Sequence, residues 1–427
     1  MLQPVDPAVR LKAIAAAQGK EPFDLLLTGA RVLDVATLEL READVGIVGP
    51  MVVSVHPCGR FAAARETHDL SGLILVPGFI DAHVHFESSH MLPHHYASVV
   101  VPQGTTTIFC DPHELANVLG IEGVRFAVEA TRGLPLRFIV QAPSCVPAAP
   151  GLELAGADFQ AAEIRELLSW PEIAGLAEVM DMRAVLEGQP RMAGILREAI
   201  ASGKIVEGHA RGLTGEGLQA YLSAGILGDH EITSGADALE KLRAGLTVEI
   251  RGSHDYLLPD VITAINTLPV IPTSLTVCTD DVFPDYLCDK GGVSDVLRRL
   301  IRYGLDPLQA IRCATTFSTA SRRPFDHNER PRRPPAVRGH DPDGFVPAVP
   351  GAADHRQADP ALVRRIGGRL DHLHGVLSGG IADRLCLRRC EHPLAQAARA
   401  GGAPLHAGGS ESGRTAHHSQ RRMETPR

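Results

Sequence analysis

Short apolar runs alternate with longer amphipathic stretches over the first 320 residues. The opening text MLQPVDPAVRLKAIAAAQGKEPFD has the apolar spacing of a short amphipathic helix. Residues 24–32, 43–48 and 52–55 read as short strands separated by turn residues, and so as a small β domain. The run GLILVPGFI then gives a strand over 73–80 that ends at Asp81. Its near-continuous apolarity suits a parallel strand buried on both faces. Further strands are predicted over 105–110, 137–141, 173–178, 205–209, 226–230, 247–250 and 275–279. Helical stretches separate them over 115–129, 161–168, 191–201, 215–224, 236–244 and 258–267, and 293–315 follows the last strand. Eight strands alternating with helices predict an α/β fold, a TIM-like (β/α)8 barrel, with a doubly wound open sheet as the alternative. The domains expected are 1–72 (N-terminal helix and small β domain), 73–320 (barrel) and 321–427 (tail).

The polar residues favour the barrel, because they fall at strand ends. The first strand leads into Asp81-Ala82-His83-Val84-His85, and the second into Asp111-Pro112-His113-Glu114. The fourth ends at Glu178, the fifth at His209, the sixth at His230 and the eighth at Asp280-Asp281. In a barrel these ends converge on one face. Extended backbone puts His83 and His85 on the same side, so two imidazoles can grip one ion. Taken singly, each residue has a plain structural explanation: a hydrogen-bonded buried histidine, a paired core acid or a turn cap. Jointly they form a nitrogen and oxygen set suited to Zn²⁺, Mn²⁺ or Fe²⁺, with room for two ions bridged by a carboxylate. His90, His94 and His95, in SSHMLPHHY, read as solvent-facing loop residues. HARGLTGEG lacks the pattern of a phosphate-binding loop.

Charge and composition divide the chain after Ala320. The whole carries a formal charge of −8, but residues 321–427 hold 18 Arg, no Lys, 9 His and 11 Pro against 11 acids. Only Phe325 and Phe345 are aromatic there, and stretches such as RRPFDHNERPRRPPAVRGH show no period of a helix or strand. The tail reads as GC-rich coding sequence translated out of frame, or else as a disordered basic or Pro-rich extension. The net acidity of the chain argues against nucleic acid as the main partner. No apolar run reaches the roughly 18 residues that a membrane span needs, and the start lacks a signal-peptide layout. The eight cysteines are scattered, with no CxxC pair, as expected of reduced thiols in a cytoplasmic protein.

VPGFIDAHVHFESS resembles the amidohydrolase superfamily. With GTTTIFCDPHELANVLG and CTDD, residues 20–320 resemble its adenine deaminases. HVHFESS and DPHELANVLG are the more specific of these motifs. The resemblance implies a metal-dependent hydrolase that converts adenine to hypoxanthine and ammonia with two Mn²⁺ or Fe²⁺ ions, in preference to Zn²⁺. Carried over by motif, His83, His85, Glu178, His209, His230 and Asp280 are the ligands, and Glu178 bridges the ions. Some two-metal barrels of this type use a carbamylated lysine as the bridge. Here the fourth strand ends LAEVM, and Lys204 stands at the other end of the barrel. Asp280 is implied to take the proton of the attacking water. Glu114 donates to the purine ring, positioned by Asp111 or His113. The partner is then the small molecule adenine, with self-association into a homo-oligomer left open. The chain departs from the family at Val282-Phe283, where Arg-His is common, and at RGSHDYLLP. ATTFSTASRR resembles the start of a family segment, after which the likeness stops. The alternatives are an amidohydrolase acting on a related heterocycle or cyclic amide, and an inactive truncated or frameshifted relative.

Limited proteolysis is expected to trim the chain to about residue 320 and leave the remainder intact. A protease-resistant segment over 321–427 would show that the tail is a genuine domain.

Overall fold

The protein is described here by a computed structural model, over residues 5–316. The tail that the sequence sets apart lies outside the described residues. A helix, Pro7–Ala17, opens the chain; Asp6 caps it by accepting the Ala8 N–H (2.7 Å), and Pro7 takes the first turn, where no N–H is needed. The helix buries Ala13 and Ala16 and leaves Leu11 and Ile14 more than half exposed, so the small residues form its inner face.

The small β domain holds strands β1 (Phe23–Thr28), β2 (Arg31–Asp34), β3 (Glu39–Glu42), β4 (Asp44–Val48), β5 (Met51–His56), β6 (Ala64–Asp69) and β7 (Ile74–Leu75). They make two sheets, in the orders β5-β4-β1-β6 and β3-β2-β7. The predicted strand over 24–32 is two strands. Gly29 adopts φ +74° between them, a turn conformation that an L-side chain resists. Phe23 and Leu26 pack with the helix, while Leu25 and Leu27 pack with Val45 and Ile47, so β1 is buried on both sides.

The second region supplies β8 (Phe79–His85), β9 (Thr105–Cys110), β10 (Arg137–Ala142), β11 (Ile173–Leu176), β12 (Ile205–Val206), β13 (Gly228–Asp229), β14 (Thr247–Arg251) and β15 (Leu275–Cys278), followed by the short β16 (Asp280–Asp281). All eight expected strands are present, but the first is displaced. Pro77-Gly78 breaks the apolar run: Ile74–Leu75 joins β2 of the small domain, and the long strand begins at Phe79 and carries both histidines. Helices separate the strands. The one predicted over 115–129 is two, His113–Leu119 and Ile121–Ala130, parted by Gly120 at φ +64°. That over 293–315 is also two, Val293–Arg302 and Pro307–Thr315, because Pro307 begins the second.

Pairing is parallel throughout this region and follows chain order. β8 to β12 form one run and β13 to β15 another. The Leu227 N–H donates to the Val206 carbonyl (3.1 Å), linking the segment before β13 to β12. At the other seam β16 pairs with β8, with Asp280 opposite Val84. Asp81 reinforces that seam by accepting the Thr279 N–H (2.9 Å) and hydroxyl (2.5 Å). Val84, Ile108, Val140, Leu176, Val248 and Val277 belong to one continuous buried core. Parallel direction puts every strand's C-terminal end on the same side, and this places the polar residues together.

Tyr221, buried in the helix Gly215–Ser223, ties the ends of the fourth and fifth of these strands. Its hydroxyl donates to the Val179 carbonyl (2.6 Å) and accepts the His209 N–H (3.0 Å). Tyr221→Phe strands two main-chain groups in the interior. We expect it to cost about 1–3 kcal/mol in urea unfolding. An unchanged midpoint and slope would show that water or relaxation satisfies both groups.

Candidate metal centre

The strand ends bring the predicted residues to one buried point. β8 delivers His83 and His85, both buried. Glu178 follows β11 by two residues, His209 follows β12, His230 follows β13, and Asp280 lies in β16. Asp111 follows β9, and His113 and Glu114 open the helix behind it.

The Glu178 carboxylate is the centre of the group and is 2% exposed. Its Oε2 lies 2.6 Å from His209 Nδ1 and 3.3 Å from His230 Nε2. Its Oε1 lies 3.3 Å from both His85 Nε2 and His113 Nδ1. Asp280 Oδ1 is 3.2 Å from His85 Nε2 and 3.9 Å from His83 Nε2. The rings of His83 and His230 stack at 4.1 Å, as do those of His85 and His113. Three overlapping groups have ligand atoms within 4.8 Å of one another: His83, His230 and Asp280; Glu178, His209 and His230; and His85, Asp111, His113 and Glu178.

These residues fit a metal ion. His85 Nδ1 lies 2.9 Å from the Asp111 carbonyl, so it carries a proton there and turns Nε2 inward. That inward nitrogen meets His83 Nε2 at 3.1 Å, nitrogen against nitrogen. Asp111 Oδ1 is buried with no hydrogen-bond partner among the described residues. Inward-facing imidazole nitrogens and acidic oxygens with so few donors are the environment a divalent cation satisfies.

The charges agree. Burial alone would raise the Glu178 carboxyl, but hydrogen bonds from His113, His209, His230 and His85 outweigh it and hold the group well below the usual range. Asp280 is likewise lowered: burial opposes, and the bond from His85 with the charges of His230 and His85 prevails. Burial, then His230 and His85, drive His83 well below an ordinary histidine and keep it neutral. Burial also opposes protonation of His230, but Glu178 and Asp280 bring it up to about 9.

Glu114 stands at the rim, its Oε1 3.6 Å from His113 Nε2. Burial would raise it, yet His113 and His85 bring it down to about 2. Its neighbour Glu87 moves the other way, raised by burial and by the Glu114 charge. His90, His94 and His95 are exposed, as the sequence suggested.

Several participants escape the sequence reading. His113, expected only as a positioning group, has Nδ1 among the candidate ligand atoms and lies 3.0 Å from Cys145 Sγ. Arg251 ends β14 and contacts both Asp280 and Glu231, while Arg211 contacts Glu231 from the other side. The rule that polar residues at strand ends point to the site would have found Arg251, since the seventh strand ends on it. Glu87 stands in the HFESS text without having been singled out. Lys204 lies away from the centre, donating to the carbonyls of Leu168 (2.7 Å), Trp170 (3.0 Å) and Ile173 (2.6 Å).

The adenine deaminase of Serratia proteamaculans is 60% identical over 306 residues, 72% of this chain and 51% of the relative. That of Klebsiella pneumoniae is 59% identical over 307 residues, with the same coverage. The chain thus spans about half the length of the curated relatives it matches. Among solved structures, an N-acetyl-D-glucosamine-6-phosphate deacetylase from Mycobacterium smegmatis superposes with a TM-score of 0.52 at 18% identity, covering 70% of this chain and 87% of the other. A beta-aspartyl dipeptidase from Fervidobacterium islandicum AW-1 gives 0.50 at 16% identity, covering 70% and 86%; both share the fold. Residues 74–319, more than half of the chain, match the amidohydrolase family, and the chain belongs to that family.

Proposed function

We propose that this chain carries the catalytic region of an adenine deaminase, which hydrolyses adenine to hypoxanthine and ammonia. The observation that carries the reading is the convergence of His83, His85, His209, His230 and Asp280 on the buried Glu178. It occurs in a chain 60% identical over 306 residues to a relative of that name. In the same reading β8 to β15 close into a (β/α)8 barrel, supported by the hydrogen bonds at its two seams.

His83, His85 and Asp280 would hold one ion and His209 and His230 the other, with Glu178 between them. Mn²⁺ or Fe²⁺ suits this mixed set of imidazole and carboxylate better than a thiolate-preferring ion. Two such ions supply acidity, lowering the pKa of water at the site toward neutrality. The chain supplies orientation and proton transfer. Asp280 accepts the proton of the attacking water as the ring carbon bearing the amino group is attacked. Attack places charge on the ring, and Glu114 delivers a proton to a ring nitrogen. Glu114 is charged in the free site, so the proton it delivers is the one that Asp280 takes from the water. Asp111 and His113 position Glu114 at the centre. Asp280 then passes the proton of the new hydroxyl group to the amino group, which leaves as ammonia as the ring carbonyl forms.

The second reading, an amidohydrolase acting on another heterocycle or cyclic amide, draws on Val282 and Ser253. Both lie in text that departs from the adenine deaminases; Val282 follows Asp280 by two residues, and the Ser253 hydroxyl accepts from Nε of Arg251 (2.6 Å), which contacts Asp280.

Protein grown in Mn²⁺ with little iron is expected to bind two ions per chain and to convert adenine to hypoxanthine, followed by ultraviolet absorbance. Glu178→Gln keeps the shape and removes the central charge; it should lose at least one ion together with activity. Turnover of cytosine or a hydantoin but not adenine would select the second reading. Two bound ions without turnover of any of these would mark an inactive relative.

A further inference from the structure

Behind the two histidines assigned to the second ion lies a buried charged cluster that takes no part in the chemistry above. Asp229 ends β13 and is completely shielded from water, as is Lys241 of the helix Gly235–Arg243. One Asp229 oxygen, Oδ1, accepts the Ala210 N–H (2.6 Å) and the Glu231 N–H (3.2 Å). Ala210 follows His209, and Glu231 follows His230. A single oxygen therefore holds the main chain just beyond both histidines. The other oxygen, Oδ2, faces Lys241 Nζ at 2.8 Å.

Lys241 uses its remaining donors on the same loop. Nζ donates to the Glu231 carbonyl (2.7 Å) and to Asp237 Oδ2 (3.0 Å). Asp237 Oδ2 also accepts the Thr233 N–H (2.7 Å) and the Thr233 hydroxyl (3.0 Å). The segment from His230 to the helix is thus held at Glu231 by Lys241 and at Thr233 by Asp237. The histidine rings that follow from this arrangement stand 5.3 Å apart and nearly perpendicular.

A buried ion pair is a poor device for stability, since apolar residues of the same volume often serve as well or better. Its geometry here is specific: Asp229 and Lys241 bond the main chain beside His209 and His230, and Asp237 bonds it at Thr233. Outer partners of metal ligands commonly fix the orientation of those ligands. The geometry points to Asp229 and Lys241 as positioning residues that set the separation of His209 and His230, and thereby the affinity of the second ion. This inference rests on the two-ion reading above.

The test measures Mn²⁺ stoichiometry and the two binding constants by competition with a chromophoric chelator, with electron paramagnetic resonance to distinguish single from paired Mn²⁺. Asp229→Asn and Lys241→Met are each expected to weaken one of two ions by about 10–100-fold. The other ion, held by His83, His85 and Asp280, should bind as in the unaltered protein. The resonance should change from that of a pair to that of one isolated ion. The double variant Asp229→Asn/Lys241→Met keeps the net charge of the cluster. It carries the same expectation should either single variant fail to fold. A purely structural role predicts a lower melting temperature of the metal-free protein with both constants unchanged. That result, or equal weakening of both ions, overturns the assignment. An unaltered chain that never binds a second ion overturns the two-ion reading along with it.

Discussion

A carboxylate removed from water must find compensation, and Glu178 finds it in four imidazoles reaching it from four different strand ends. Uncompensated, such a group would be expensive to bury. Even so, the Nε2 atoms of His83 and His85 face each other at 3.1 Å, two ring nitrogens crowded at the same centre. A positive ion resolves both difficulties, which is why the donor set and the burial of Glu178 belong to the same explanation.

The rest of the structure holds that centre in place. Asp81 fastens the end of the last strand to the first through Thr279. Tyr221 fastens the residues beyond Glu178 to those at His209. Asp229 fastens the His209 and His230 segments to each other. Each link is a buried polar group that bonds the main chain next to a candidate ligand. Charges at the rim continue the arrangement outward, from Asp280 through Arg251 to Glu231 and Arg211. Apolar packing builds the scaffold, and these bonds set its precision at the site.

Much of this was legible in the sequence. Strand order followed from the alternation of apolar runs and helices, and the six residues expected as ligands lie in one cluster with Asp111 and His113, because ionisable residues rarely end buried strands without a reason. The errors have local causes. The run over 73–80 is apolar throughout, yet Pro77-Gly78 divides it between two sheets, and periodicity alone cannot show which sheet an apolar run joins. Gly29 and Gly120 divide a strand and a helix at conformations that hydrophobic pattern does not reveal. Arg251 stands at a strand end and was open to the same rule, whereas the pairing of Asp229 with Lys241 joins two elements and is set by the fold. His113 was noticed, but its approach to Glu178 is a property of three dimensions only.

Anomalous X-ray scattering at the manganese edge, from crystals of protein grown in Mn²⁺, tests the central claim most directly. Two peaks are predicted on either side of Glu178, one beside His83, His85 and Asp280 and the other beside His209 and His230. A single peak beside Asp111 and His113, or no peak near Glu178, would contradict the account.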